Sequence, residues 1–475
     1  MNKLNWRKKA CTIFFLCAAT SIVSRAQTFN FRTVAQFDDT DGYAPLAGLA
    51  QATDGNLYGT TEAGGVINQG TFFRLTPTGT LTKLRSFCYC SEGENPQAAL
   101  IQATDGNLYG TTPFPSGTVF KVTLSGRETV LSSSFFAQIF APLVQGTDGN
   151  FYGSTVNGGP NANGSIFKIT PSGTVTTLYT FCGQSDCGAY PYAGLVQSTD
   201  GNFYGTTPYG GTNNGGTVFK ITPSGTLTTL YSFCSQGDDC SDGSQPYAGL
   251  VQGTDGNFYG TTYYGGPGTC DNPSHGTVSC GTVFKITPTG ALTTLHSFVS
   301  TDGGNPDAGL VEGTDGNFYG TTPYGGANGT NDGTIFKITP SGTLTSLYSF
   351  CSESGCTDGG QPNAALIQDS NGLFYGTTEW GGSGNYGTIF GFAVGLSEFV
   401  KTNPGAGKVA TSVKILGTNL SGATSVTFNG KPAAFSVASK TYIKATVPTG
   451  ATTGTVQVTT PGGTLSSNVP FQVLH

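Results

Sequence analysis

The sequence predicts an all-β chain: a seven-bladed β-propeller closed by its N-terminal strand, followed by a small antiparallel β-sandwich. Three observations carry this. A Tyr-Gly-Thr-Thr element, Tyr-Gly-Ser-Thr in one copy, recurs seven times, with its tyrosines at Tyr58, Tyr109, Tyr152, Tyr204, Tyr259, Tyr319 and Tyr375. Each copy sits in a unit of roughly 40–60 residues holding four short segments rich in Val, Ile, Leu, Thr, Phe and Tyr, the pattern of a propeller blade. The seventh copy stops after three segments, and "FRTVAQF" (31–37) near the N-terminus matches the missing fourth.

The elements follow in chain order. Residues 1–26 resemble a secretory signal: Lys3, Arg7, Lys8 and Lys9 precede an apolar run from Cys11 to Val23, and Ser24 and Ala26 are small residues at a cleavage position. The run is too short for a confident transmembrane span, and no later run in the mature chain is long and apolar enough. An uncleaved anchor is the alternative. Residues 27–395 then form the repeat domain. Within a unit, Asp-Gly separates the first and second segments, as in "TDGNFYGTT", and marks a tight hairpin. "TPSG" turns the chain between the third ("GTVFKITPSG", from Gly216) and the fourth ("TLTTLYSF", 226–233). Nothing has a helical period of useful length. Pairing of 31–37 with the seventh unit leaves no open sheet edge in the ring; a linear β-solenoid would not need that split unit.

Residues 396–475 lose the repeat. Apolar and polar residues alternate over short segments divided by "NLSG", "FNGKP", "VPTG" and "TPGG", which reads as a sandwich. On "GTNLSGATSVTFNGKPA" (417–433) and "ATVPTGATTGTVQVTTPGG" (445–463) this segment resembles an IPT/TIG domain, which implies an immunoglobulin-like fold. On "GLVQGTDGNFYGTTYYGG" (249–266) and "GTVFKITPTGALTTLHSF" (281–298) the repeats resemble the GloVer tandem repeat of bacterial surface and exported proteins. That resemblance implies a fold and an export context, without an established activity.

Composition narrows the function. Loss of the signal removes five basic residues, Arg25 included, and shifts the formal charge from -6 to -11. An acidic surface disfavours nucleic acid. Gly is abundant at 73 residues and aromatics make up 12%, which favours short strands and tight turns over disorder. The chain is expected to be a monomer. Ten cysteines remain in the mature chain, and local pairs suit an oxidising compartment: Cys182 with Cys187, Cys234 with Cys240, Cys270 with Cys280 and Cys351 with Cys356. Cys88 and Cys90 would close a very small ring, and their pairing is left open.

The repeated Asp of "TDGN" reads as a turn residue, since the seventh copy replaces it by Asn371, a poor catalytic acid. Binding is expected instead on the face of the long loops that follow "YGTT" and "LYSF". Aromatics recur there at Phe114, Tyr209, Tyr264, Tyr324 and Trp380, and stacking on them with hydrogen bonds to nearby carboxylates suits a glycan; packing between blades is the alternative role. Glu62 and Glu379 hold equivalent places in repeats one and seven and form the candidate pair for a carbohydrate-active hydrolase or lyase. With three His in the whole chain, a His-centred triad or zinc site is disfavoured, and no nucleotide fingerprint is present. Acidic loops offer calcium candidates at Asp41, Asp242, Asp302 and Asp358, outside any EF-hand spacing. The reading is a secreted, non-enzymatic binding or adhesion protein for an extracellular polysaccharide or protein, with the hydrolase or lyase and a structural envelope role as alternatives.

Overall fold

The computed structural model describes residues 29–88, 93–133, 135, 137–182, 187–236, 240–272, 276–327 and 332–474. The signal-like segment and Cys90 lie outside them. The described chain is all β apart from one turn of 3-10 helix, Ser354–Cys356. No helix among the described residues is long and apolar enough to cross a membrane.

Residues 30–393 build seven four-stranded antiparallel sheets and two small two-stranded ones. In the first sheet the order is Ala50–Gln51, Leu57–Thr61, Thr71–Leu75 and Leu81–Ser86, which is also the order in sequence. Five more sheets repeat it. The seventh contains Ile367–Gln368, Phe374–Thr378 and Thr388–Ala393, and its fourth strand is Asn30–Gln36. Asn30 stands opposite Ala393 and Gln36 opposite Thr388, across a bulge between Thr33 and Ala35.

Burial explains the segment chemistry. Every residue of the "YGTT" strands is buried, and the "VFKI" strands are buried except at the basic position (Arg74 in the first copy). The fourth strands are half-exposed. A continuous apolar run therefore marks the strands packed on both faces, and alternation marks the rim. The glycine of each "YG" is a packing residue. At Gly260 a Cβ would lie 2.6 Å from the ring of Phe284 and 2.9 Å from Leu250, and the other six copies are equally crowded by their own Phe. The tyrosine beside it packs on the next sheet: Tyr152 on Phe203 at 4.1 Å, Tyr204 on Phe258 at 4.1 Å and Tyr259 on Phe318 at 3.9 Å between ring centres. Tyr375 of the last sheet shares a core with Leu57 of the first.

Hydrogen bonds between the innermost strands link the sheets in succession. The backbone N–H of Thr53 donates to the Gln102 side chain at 2.9 Å, Thr104 to Gln145 at 2.9 Å, and Thr147 to Gln197 at 2.9 Å. Thr199 then meets Gln252, Thr254 meets Glu312, and Thr314 meets Gln368. The seventh bond of the set runs from Ser370 N–H back to Gln51 at 3.2 Å.

Residues from about 400 onward form two four-stranded sheets and a short parallel pair around one apolar core that includes Val413, Ile415, Val426, Phe428, Ile443, Val456 and Val458. Asn429 and Gly430, with φ of 45° and 77°, make the tight turn that "FNGKP" predicts. This module sits against the Asp-Gly turns of the repeats. Thr441 donates to Thr53 O at 3.0 Å and Asn403 to Gln102 O at 2.8 Å. Lys401 donates to Gln368 O, and Gln472 to Thr199 O. Its contacts thus reach the first, second, fourth and seventh sheets.

Candidate functional site

Each innermost strand runs from a Pro-x-Ala segment to the Asp-Gly turn. The C-terminal module occupies the turn end. At the other end, one residue per repeat, the x between Pro and Ala, converges on a cavity of about 760 Å³. The seven are Leu46, Gln97, Phe140, Tyr192, Tyr247, Asp307 and Asn363, where Ile139 stands in for Pro in the third repeat. This volume falls within the range of small-ligand sites.

Two kinds of side chain line the cavity. Repeats three to five supply Phe140, Tyr192, Tyr209, Tyr247, Tyr263 and Tyr264. Their rings pack in sequence: Phe140 against Tyr192 at 5.6 Å, Tyr192 edge-on to Tyr247 at 5.5 Å, and Tyr247 edge-on to Tyr263 at 5.7 Å. The hydroxyls of Tyr209 and Tyr247 are 2.6 Å apart. The remaining lining is Leu46, Gln97, Gln245, Asp307, Asn363 and Glu379. None of the twelve is basic.

Local backbone holds these side chains. The residue before Pro-x-Ala has a left-handed conformation in six repeats: Ala44, Asn95, Tyr190, Gln245, Asn305 and Gln361 have φ between 51° and 56°. Such strain in non-glycine residues concentrates where structure is fixed for function. In repeats one, five and seven their carbonyls accept the N–H of the first residue after "YGTT": Ala44 O from Glu62, Gln245 O from Tyr263 and Gln361 O from Glu379, each at 3.0 Å. This contact sets the post-strand side chain beside the x residue of its own repeat.

The carboxyls of this wall hold their protons more tightly than in water. Burial pushes Asp307 up to about 7, with the charge of Glu379 adding to the effect. Its Oδ1 is buried with no hydrogen-bond partner. Burial also raises Glu379, against a hydrogen bond from Asn363 Nδ2 at 2.6 Å. Glu62 is raised by burial and then by Glu379, against a 2.7 Å bond from Gln97 Nε2.

Of the sequence candidates, Tyr209, Tyr264 and Glu379 line the cavity. Glu62 touches it through Gln97. Tyr324 hydrogen-bonds Tyr263, and Phe114 meets Phe140 edge-on at 6.2 Å, so both stand behind the lining. Trp380 lies over Gly360. The x residues and Asp307 escaped the sequence reading. Their signal was present, because x is the variable place in an otherwise uniform "PYAGLVQ" element.

The four loop aspartates each close their own loop. Asp242 and Asp358 accept from the hydroxyls of Tyr231 and Tyr348 at 2.7 Å and from the N–H groups of Ser235 and Ser352 at 2.9 Å. His296 stands where those tyrosines stand and meets Asp302 at 2.9 Å. Asp41 accepts the N–H of Asp38 at 2.8 Å. The turn aspartates are similarly engaged: Asp255 takes the Tyr259 hydroxyl and the Asn257 amide, both at 2.8 Å. Four disulfides are formed between described residues, Cys182–Cys187, Cys234–Cys240, Cys270–Cys280 and Cys351–Cys356. Among the described residues, the one group with metal-ligand spacing is Asp332, Cys351 and Cys356, whose sulfurs are committed to a disulfide.

Repeated four-stranded sheets around a lined cavity, with an appended sandwich, define a tandem-repeat β protein. The chain belongs to the Gloeobacter/Verrucomicrobia repeat family, whose model matches residues 19–135, 113–272 and 268–408. An IPT/TIG domain matches residues 398–473. No curated protein matches the sequence. Among solved structures, a streptogramin B lyase is similar over 78% of this chain and 99% of its own, with 17% identity and a TM-score of 0.53. Virginiamycin B lyase from Staphylococcus aureus, inactivated and with quinupristin, matches over 77% and 99% at 15% identity and a TM-score of 0.54. A fungal alcohol oxidase of the AA5 family, in complex with copper, matches over 95% and 100% at 13% identity and a TM-score of 0.54. At these identities the likeness is one of fold.

Proposed function

We propose that this chain is an exported, non-enzymatic binding protein that takes a glycan in the cavity at the Pro-x-Ala end of its repeats. In this reading residues 27–395 are a seven-bladed β-propeller closed by Asn30–Gln36, and residues 396–475 are a separate immunoglobulin-like module. The cyclic set of inter-sheet hydrogen bonds, ending with Ser370 to Gln51, supports the closure. The module, docked on the opposite end, leaves the long-loop face as the entrance. The disulfides fit an extracellular setting.

The observation that carries the binding role is the division of one cavity into an aromatic wall and a carboxylate and amide wall. Aromatic faces stack on the C–H faces of sugars, and amides and carboxylates order their hydroxyls. Titration of the signal-free protein with a panel of soluble polysaccharides, followed by the fluorescence of Trp380, tests this. A saturable shift, competed by an oligosaccharide and lost in Tyr247→Ala, is expected. A folded protein that binds none of the panel, by fluorescence or calorimetry, would sink the glycan reading.

A carbohydrate-active hydrolase or lyase is the second reading. The raised affinity of Glu62, Glu379 and Asp307 for their protons favours it, because a glycosidase needs one carboxyl protonated and another ionised. Release of reducing or unsaturated ends, lost in Glu62→Gln, is the mark of that activity.

A further inference from the structure

The polar wall of the cavity is acidic and lacks a cation. Asp307 and Glu379 are near enough for Glu379 to raise Asp307, and Glu62 feels Glu379 in turn. Glu379 and Glu62 each receive an amide hydrogen bond. Asp307 receives none at Oδ1, although that atom is shielded from solvent. Tyr324, which feels the charge of Asp307, and the other eleven lining side chains bear no positive charge. A buried carboxylate oxygen without a partner is destabilising in the empty protein. Charge-assisted hydrogen bonds from a bound ammonium would remove that cost. The tyrosine-rich wall adds a second attraction, since aromatic faces draw organic cations as well as sugar rings.

We propose that the ligand is a cationic glycan, an amino sugar with a free amine. Its ammonium group sits against Asp307 and Glu379 while its ring lies on the tyrosines of repeats four and five. This rests on the glycan-binding reading and adds the charge. N-acetylation removes the positive charge and replaces a compact ammonium by a bulkier neutral amide, so the acetylated sugar leaves Asp307 unpaired. Neutral glycans retain only the stacking and the amide contacts.

Calorimetric titration of the signal-free, disulfide-intact protein at low ionic strength decides the matter. The probes are a glucosamine trisaccharide, its fully N-acetylated counterpart, cellotriose and the sugarless diamine putrescine. The free-amine trisaccharide is expected to bind at least about tenfold more tightly than the acetylated one or cellotriose. Asp307→Asn should abolish that preference, bringing the free-amine trisaccharide down to the affinity of the neutral ones. Glu379→Gln should reduce it, and it keeps the test open if Asp307→Asn fails to fold; melting curves of both variants check this. Equal binding of charged and neutral trisaccharides would overturn the charge proposal and leave glycan binding standing. Putrescine binding as tightly as the amino sugar would overturn the sugar component. Binding of no probe by the folded protein would overturn this proposal, and glycan binding falls with it only if the wider polysaccharide panel is also silent.

Discussion

Asp255 and Asp307 are both aspartates of the repeat domain, and their surroundings drive them in opposite directions. At Asp255 burial would raise the pKa, but hydrogen bonds from Asn257 and Tyr259, with Lys285 at 3.1 Å, prevail and hold it at about 2. Such a residue fixes a turn. At Asp307 burial dominates and holds the group at about 7. Its cost follows from linkage. Below its ordinary value of 3.8 the carboxyl is neutral in both states. As pH rises from there the unfolded chain ionises first, so stability is lost progressively and the full penalty is present above about 7. Asp307→Asn is therefore expected to melt a few degrees higher than the parent at pH 8 and at the same temperature at pH 4. A variant destabilised at both pH values would show that Asp307 serves the fold. Stability gained on removal of a binding residue is the common signature of a site built at the expense of the fold. The turn role of Asp255 was legible, since Asp-Gly at a strand boundary has a local conformational cause. The environment of Asp307 was not, because it depends on residues of other repeats, Glu379 among them.

The strand is the unit that ties the ends of the repeat domain together. Asn30–Gln36 brings Phe31 onto Tyr348 at 3.9 Å and edge-on to Phe350 at 5.8 Å, so one side chain joins the seventh sheet to the sixth. Phe31→Ala is expected to cost about 2–3 kcal/mol, seen as a lower midpoint in denaturant. It also loosens the strand that covers Thr388–Ala393, and an uncovered edge invites association between chains. Unchanged stability and a monomeric elution profile would show that the strand is dispensable. The strand was legible because its apolar spacing copies the fourth segment of each repeat. Its partner was inferred from a missing segment, and the paired register locates the bulge that no spacing announced.

At the scale of the whole molecule, the seventh repeat departs from the others where the C-terminal module attaches. The turn reads "SNGLF" in place of "TDGNF", and a Cβ at Gly372 would lie 2.5 Å from the carbonyl of Leu396 in the linker. Lys401 is half-buried there beside the buried Asp369, and desolvation lowers it to about 8 while Asp369 pulls it back up. Lys401→Met would leave Asp369 buried without its cation. A loss of about 3 kcal/mol is expected, with earlier proteolytic cleavage in the linker around residues 395–400. Equal protease resistance would mean that the module is held elsewhere. The β class, the repeat, its turns and the sandwich were legible along the chain, because each rests on local periodicity and on Gly, Asn and Asp at strand boundaries. Only the tertiary structure decided which side of the repeats the module covers and which seven side chains meet in the cavity. Both are contacts between residues tens to hundreds of positions apart, where burial and charge come from neighbours that local sequence does not name.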